Sequence, residues 1–153
     1  LMRDGKADTV VEQFDMLTGL LGLEEFRKVF PVILTDNGSE FKHTRDLETT
    51  EDGKKRTKVF YCDPQASWQK PQIEKNHEFI RYVLPKGKTL NPYTQEDMLL
   101  LANNINSIGR ESLGNKSPYE ATTDKSILRL MGLMGLHTVP ADEVNLTPAL
   151  LKR

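Results

Sequence analysis

Between Ala7 and Phe30 the apolar residues fall at Val10, Phe14, Leu17 and Leu21, at helical spacing. That period predicts an amphipathic helix. Asp8 or Thr9 is placed to accept its first orphan N–H groups. Gly19 and Gly22 are expected to interrupt it, leaving a second helical piece over Leu23 to Val29. Phe30-Pro31-Val32-Ile33-Leu34 is short, apolar and β-branched, and reads as a buried strand. A short helix carrying Phe41 and Leu47 is expected over residues 38 to 48, then a polar loop or hairpin over 48 to 58. Lys58-Val59-Phe60-Tyr61-Cys62 is the next strand, closed by Asp63-Pro64.

Beyond it, Ser67 is a candidate cap, and Pro71 suits a first helical position. The helix that follows runs from Gln72 to Val83, with Ile73, Phe79, Ile80 and Val83 as its buried side. Leu84-Pro85-Lys86-Gly87 ends it. Thr94, with Asp97 three residues on, opens another helix whose apolar face is Met98, Leu101, Ile105 and Ile108. A turn at Leu113 to Pro118 leads into a short helix through Ala121. The tail, residues 122–153, carries no assignable pattern. Helix alternating with strand predicts an α/β fold with a helical C-terminal part. The strand preceding the first helix is expected to lie mostly outside the chain, since Leu1-Met2-Arg3-Asp4 reads as the end of one.

Composition narrows the function classes only a little. The chain has 153 residues, 37% hydrophobic and 28% charged, which suits one domain or part of one. Its apolar runs are too short to span a bilayer. A lone cysteine, Cys62, excludes an internal disulfide and fits a reducing cytoplasm. The net charge is −1, so any nucleic-acid contact must come from a local patch.

Two carboxylates stand out by position. Asp36 follows the first strand in Thr35-Asp36-Asn37-Gly38-Ser39-Glu40-Phe41, at the edge where α/β sheets commonly place ligands. Glu74 opens the long helix in Trp68-Gln69-Lys70-Pro71-Gln72-Ile73-Glu74-Lys75-Asn76. Taken alone, Asp-Asn-Gly is a turn, because Asn-Gly supplies positive φ at little cost, and Glu74 is a solvated helix residue. Around Glu74, the residues Trp68, Gln69, Lys70, Lys75, Asn76, His77 and Arg81 surround the acid with cations, amides and an aromatic. On composition this is a salt-bridged helix surface. The chemistry that would use both acids is divalent-metal phosphoryl transfer, for which carboxylates suit Mg²⁺ or Mn²⁺. The absence of a Cys/His cluster argues against zinc. Glu40 reads as helix surface, His77 as a polar helix residue and Cys62 as a small buried one.

The motif at residues 35–41 resembles the second-aspartate motif of DDE transposases and retroviral-type integrases. Asp63-Pro64, Ser67-Trp68-Gln69-Lys70 and Glu74-Lys75-Asn76 resemble the glutamate motif of the IS30-family transposases. Leu113-Gly114-Asn115-Lys116-Ser117-Pro118-Tyr119-Glu120 is similar to that family's closing segment. The resemblance covers residues 1 to 121, with 122–153 outside it. It implies an RNase H-like integrase core, truncated at its N-terminus, in which Asp36 and Glu74 are the second and third catalytic acids and metal ligands. The first acid is expected upstream of Leu1. Two Mg²⁺ or Mn²⁺ ions, DNA element ends and target DNA, a homo-oligomeric state and a nucleoid-associated place in the bacterial cytoplasm are likewise implied. Asn37, Trp68, Gln69, Lys70, Lys75, Asn76, Arg81 and Lys86 would contact DNA. The chain departs from the family at Pro71, where glycine is common, at Lys75, and in a longer Asp36–Glu74 spacing. Alone, it is expected to be inactive. The alternatives are a truncated transposase acting as a DNA-binding or oligomerising inhibitor, and a metal-dependent nuclease of the same fold.

Overall fold

The computed structural model describes residues 2, 4–63, 71–87 and 89–151. They divide into two compact units, Met2–Lys70 and Pro71–Arg153. The predicted contacts Trp68, Gln69 and Lys70 lie outside the described residues.

The first unit is α/β. Helix α1 spans Ala7–Leu21 and α2 spans Leu23–Val29, with Gly22 at φ 78° between them. Gly19 does not break α1, because an exposed glycine inside a helix costs only about 1 kcal/mol. The expected caps are also corrected. Lys6 holds the N-cap position and makes no side-chain cap. Asp4 instead ties the preceding turn to the helix, its Oδ1 accepting from the Lys6 N–H at 3.2 Å and the buried Thr9 hydroxyl at 2.6 Å. Those donors hold the Asp4 carboxyl below its usual range.

Strands β1, Val32–Thr35, and β2, Lys58–Tyr61, pair in parallel, Ile33 opposite Val59 and Thr35 opposite Tyr61. The segment between them contains a 3-10 turn, Ser39–Phe41, and helix α3, Thr44–Glu48, in place of one short helix. An antiparallel bridge between Thr49 and Lys55 makes the 48–58 segment a hairpin. Val10, Leu47 and Val59 form the buried cluster, joined by Phe14, Ile33, Phe41 and Tyr61. Val32, Leu34 and Phe60, on the opposite sheet face, are 54%, 42% and 52% exposed.

The second unit is helical. Helix α4 spans Pro71–Val83 and α5 spans Gln95–Asn106. Thr94 and Asp97 form the predicted capping box on α5. Val83, Leu84, Leu101, Ile105 and Leu151 form its core, with Phe79 and Met98 packed against it. Ile73 and Ile80, expected inside, are exposed. The α4 face that meets α5 is the one carrying Phe79 and Val83. Helix α6, Pro118–Ala121, opens on a Ser117–Glu120 capping box, and α7 spans Lys125–Leu133. The tail is fastened to α5 by polar side chains. Asn103 Oδ1 accepts from the His137 N–H at 3.1 Å, Ser107 Oγ from Val139 at 2.8 Å, and Asn104 Oδ1 from Asn145 at 2.8 Å.

Candidate functional site

Asp36 directly follows β1, at the carboxyl edge of the parallel pair, and is exposed. Its Oδ1 accepts a hydrogen bond from the Gly38 N–H at 3.3 Å, which turns the chain at Asn37. The Glu40 carboxylate folds back over Gly38, 2.6 Å from where a Cβ would stand, so a side chain at 38 would have to displace it. The Tyr61 hydroxyl holds the far side of this loop, donating to the Phe41 carbonyl at 2.6 Å and bonding Thr44 Oγ1. Sheet register thus carries through to the placement of the acid. The Cys62 N–H donates to the Thr35 carbonyl at 2.8 Å, extending the pairing one step past the strands. Parallel pairing therefore brings the exposed Asp63 to the same sheet edge as Asp36. The sequence places each acid just past a strand, but only the pairing direction shows that they share an edge.

Glu74 is in the first turn of α4 and is exposed, as are Arg81 and Lys86. An acid there is favoured by the helix dipole. Lys75 is engaged: its Nζ is 2.7 Å from Glu78 Oε2, and the Tyr82 hydroxyl donates to Glu78 Oε1 at 2.6 Å. The hydrogen bond from Lys75, then that from Tyr82, holds the Glu78 carboxyl below its usual range. The same Glu78 carboxylate raises Lys75 and Tyr82. Asn76 is half-buried, and its Oδ1 has no hydrogen-bond partner. Asp36 and Asn37 lie in the first unit, and Glu74, Lys75, Asn76, Arg81 and Lys86 in the second.

The donor chemistry fits a hard cation, since both matched acids offer exposed carboxylate oxygens. Among the described residues no group of three or more histidine, cysteine, aspartate or glutamate side chains gathers around one point.

Known proteins add the deciding observation. The chain is 30% identical over 99 residues to the transposase for insertion sequence element IS4351 of Bacteroides fragilis, covering 64% of the chain and 29% of that protein. It is 40% identical over 63 residues to the transposase InsI of element IS30A of Escherichia coli K12, 41% of the chain and 16% of that protein. The chain is related to the IS30-family transposases. A putative integrase of a Spiroplasma virus, SpV1-R8A2 B, is 34% identical over 74 residues, 48% of the chain and 22% of the integrase. The chain spans less than a third of the length of these transposase and integrase relatives. No family model and no solved structure matches it. Among the described residues of this transposase relative, no helix is long and apolar enough to cross a membrane.

Proposed function

We infer that the chain carries the part of an RNase H-like DDE transposase core that holds the second and third acids. In the whole protein this core would cleave DNA at element ends and join the 3′-hydroxyl to target DNA. The observation that carries the reading is Asp36, an exposed carboxylate at the carboxyl edge of a parallel strand, in a chain whose relatives are transposases. Asp36 and Glu74 would hold Mg²⁺ or Mn²⁺. When bound, such ions activate the attacking hydroxyl and stabilise the leaving oxygen. Around that chemistry the chain's own residues bind and orient. Asn37, Trp68, Gln69, Lys70, Lys75, Asn76, Arg81 and Lys86 supply amides, cations and an aromatic for phosphate contact and base stacking. The substrate is DNA at the bacterial nucleoid, acted on by a homo-oligomer.

Calorimetric titration with Mn²⁺ tests this on the chain and on Asp36→Ala and Glu74→Ala, each checked for fold by circular dichroism. Two carboxylates bind weakly, at about millimolar metal. The expected result is binding that both substitutions abolish. Binding that survives either one overturns the shared site. A folded chain that binds DNA and ignores metal supports the inhibitor reading instead.

A further inference from the structure

Arg110 has a role that neither the motifs nor the relatives assign. It opens the loop between α5 and α6, and its backbone closes that loop. Its N–H donates to the Lys116 carbonyl at 3.0 Å, and its carbonyl accepts from Leu113 and Asn115, each at 2.9 Å. Gly109 lets the loop shut this tightly, since a Cβ there would stand 2.6 Å from the Asn115 carbonyl oxygen. The guanidinium is thereby aimed at α4, with its carbon 5.4 Å from the centroid of the Phe79 ring. Lys75 Nζ lies 5.3 Å from the same centroid. The two cations gather at one aromatic ring beside a cavity of about 290 Å³ lined by Lys75, Phe79, Gly109, Arg110, Glu111 and Ser112.

The bonding inventory of this cavity is incomplete. Lys75 is neutralised by Glu78 at 2.7 Å. Among the described residues Arg110 has no ion pair, and its Nε is buried with no hydrogen-bond partner. A buried charged donor left unmade is costly, and a phosphate oxygen is the acceptor that matches a guanidinium fork. The Ser112 hydroxyl adds another donor type to the lining.

We propose that Arg110 and Lys75, set around Phe79, form a seat for one phosphodiester group of a bound DNA strand. Arg110 is the standing cation. Lys75 is the exchangeable one, released from Glu78 when phosphate enters. This rests on the reading of the chain as DNA-acting. The contact is to backbone and so is independent of sequence.

The test is fluorescence anisotropy of a labelled single-stranded oligonucleotide across a salt series, with the chain and with Arg110→Gln, Arg110→Lys, Lys75→Gln and Glu78→Gln. Arg110→Gln should weaken binding about tenfold. It should also reduce the slope of log K against log salt by about 0.7, the value for one lost single-strand phosphate contact. Arg110→Lys, which keeps charge and stem, should restore most of the slope. Glu78→Gln should tighten binding by freeing Lys75, which a purely structural ion pair would not do. Unchanged affinity and slope in Arg110→Gln, with Glu78→Gln no tighter, overturns the seat and leaves the DNA-acting reading standing. A folded chain that binds no oligonucleotide overturns both. Inorganic phosphate distinguishes the remaining source. A thermal shift by phosphate that Arg110→Gln abolishes, with oligonucleotide binding untouched, assigns the cavity to free phosphate and overturns the DNA contact.

Discussion

Replacing Arg56 probes the architecture that presents Asp36. The side chain is 1% exposed. Its work is explained by helix α3, whose last carbonyls have no partner within the helix. The Arg45 carbonyl is taken by the Thr49 N–H at 2.9 Å and hydroxyl at 2.7 Å. Arg56 meets the next three: Nη2 donates to Asp46 O, Nε to Leu47 O at 2.9 Å, and its N–H to Glu48 O at 2.7 Å. Nη1 reaches back to α1, at 2.6 Å from Asp15 Oδ1 and 3.2 Å from Thr18 Oγ1. The guanidinium also lies 5.5 Å from the Phe14 ring centroid. Arg56→Ala strips two carbonyls of their donors, at about 1 to 3 kcal/mol each before water replaces some of the loss. The Asp15 side chain is 54% exposed, so the ion pair itself contributes only up to about 1 kcal/mol. The expected total is about 3 to 4 kcal/mol, a large share of a typical domain's stability. Arg56→Lys keeps the charge but not the fork and should cost less, about 1 to 2 kcal/mol. Asp15→Asn should cost under about 1 kcal/mol. Urea unfolding gives the magnitudes, and hydrogen exchange over residues 44–60 locates them in the first unit. An Arg56→Ala chain within about 0.5 kcal/mol of the parent refutes the reasoning. Asp15→Asn as costly as Arg56→Ala would refute it too, by making the pair, not the helix cap, the source of stability.

Three further outcomes are expected. Glu120 closes the capping box of α6, and the Ser117 backbone N–H holds its carboxyl below the ordinary 4.5. Because the folded value is the lower one, this stabilisation is present above the ordinary value and lost as pH falls through the folded one. Protection of the 117–121 amides, taken relative to their intrinsic exchange rate at each pH, should therefore fall in acid, and Glu120→Gln should flatten that dependence. Gly109→Ala drives a methyl to 2.6 Å from the Asn115 carbonyl. It should destabilise the 109–116 loop by about 1 to 3 kcal/mol, read by thermal melting and by faster proteolysis there. Asn103→Leu leaves the Tyr119 hydroxyl and His137 N–H without the acceptor they share, at 2.8 and 3.1 Å. A loss of about 2 to 4 kcal/mol is expected, with exchange at 136–145 rising first.

Features set by neighbouring residues were legible in the sequence. The Thr94–Asp97 box, the Gly22 break and the strands at 32–35 and 58–61 follow from patterns a few residues long. What failed to read depended on partners far along the chain. Arg56 sits in a polar stretch and is buried only because α1 and α3 supply its acceptors. Ile73 and Ile80 look like core by type, yet α5 meets the Phe79–Val83 side. In the tail, helix α7 went unread, and residues 137–145 gave no period because Asn103, Asn104 and Ser107 hold them by hydrogen bonds. In the candidate site, the positions of Asp36 just past a strand and of Glu74 and Lys75 at the start of a helix were legible from pattern. Arg110 was not, since its aim depends on a loop closed by Gly109 and on a ring 31 positions away at Phe79.

The segment from Asp36 to Tyr61 explains how a short sheet can present an acid reproducibly. A two-stranded sheet is weak by itself, and here β2 is secured on both sides. Toward β1, Lys58 and Cys62 donate to the Pro31 and Thr35 carbonyls. Away from it, the Val59 N–H donates to Glu48 Oε1 at 2.9 Å, so the α3 side chain satisfies a strand-edge donor. Arg56 then locks α3 to α1, and Tyr61 closes the loop that follows Asp36. Each tie joins residues distant in sequence, and together they surround the Asp36 turn. As the metal ligand proposed above, Asp36 would have to be held to within about 0.5 Å by its supporting groups. By this geometry Arg56 and Tyr61 support the Asp36 segment alongside its own turn, where the Gly38 N–H donates to Asp36 Oδ1 at 3.3 Å. Loss of the Tyr61 hydroxyl would therefore loosen the placement of the acid while leaving its carboxylate chemistry intact.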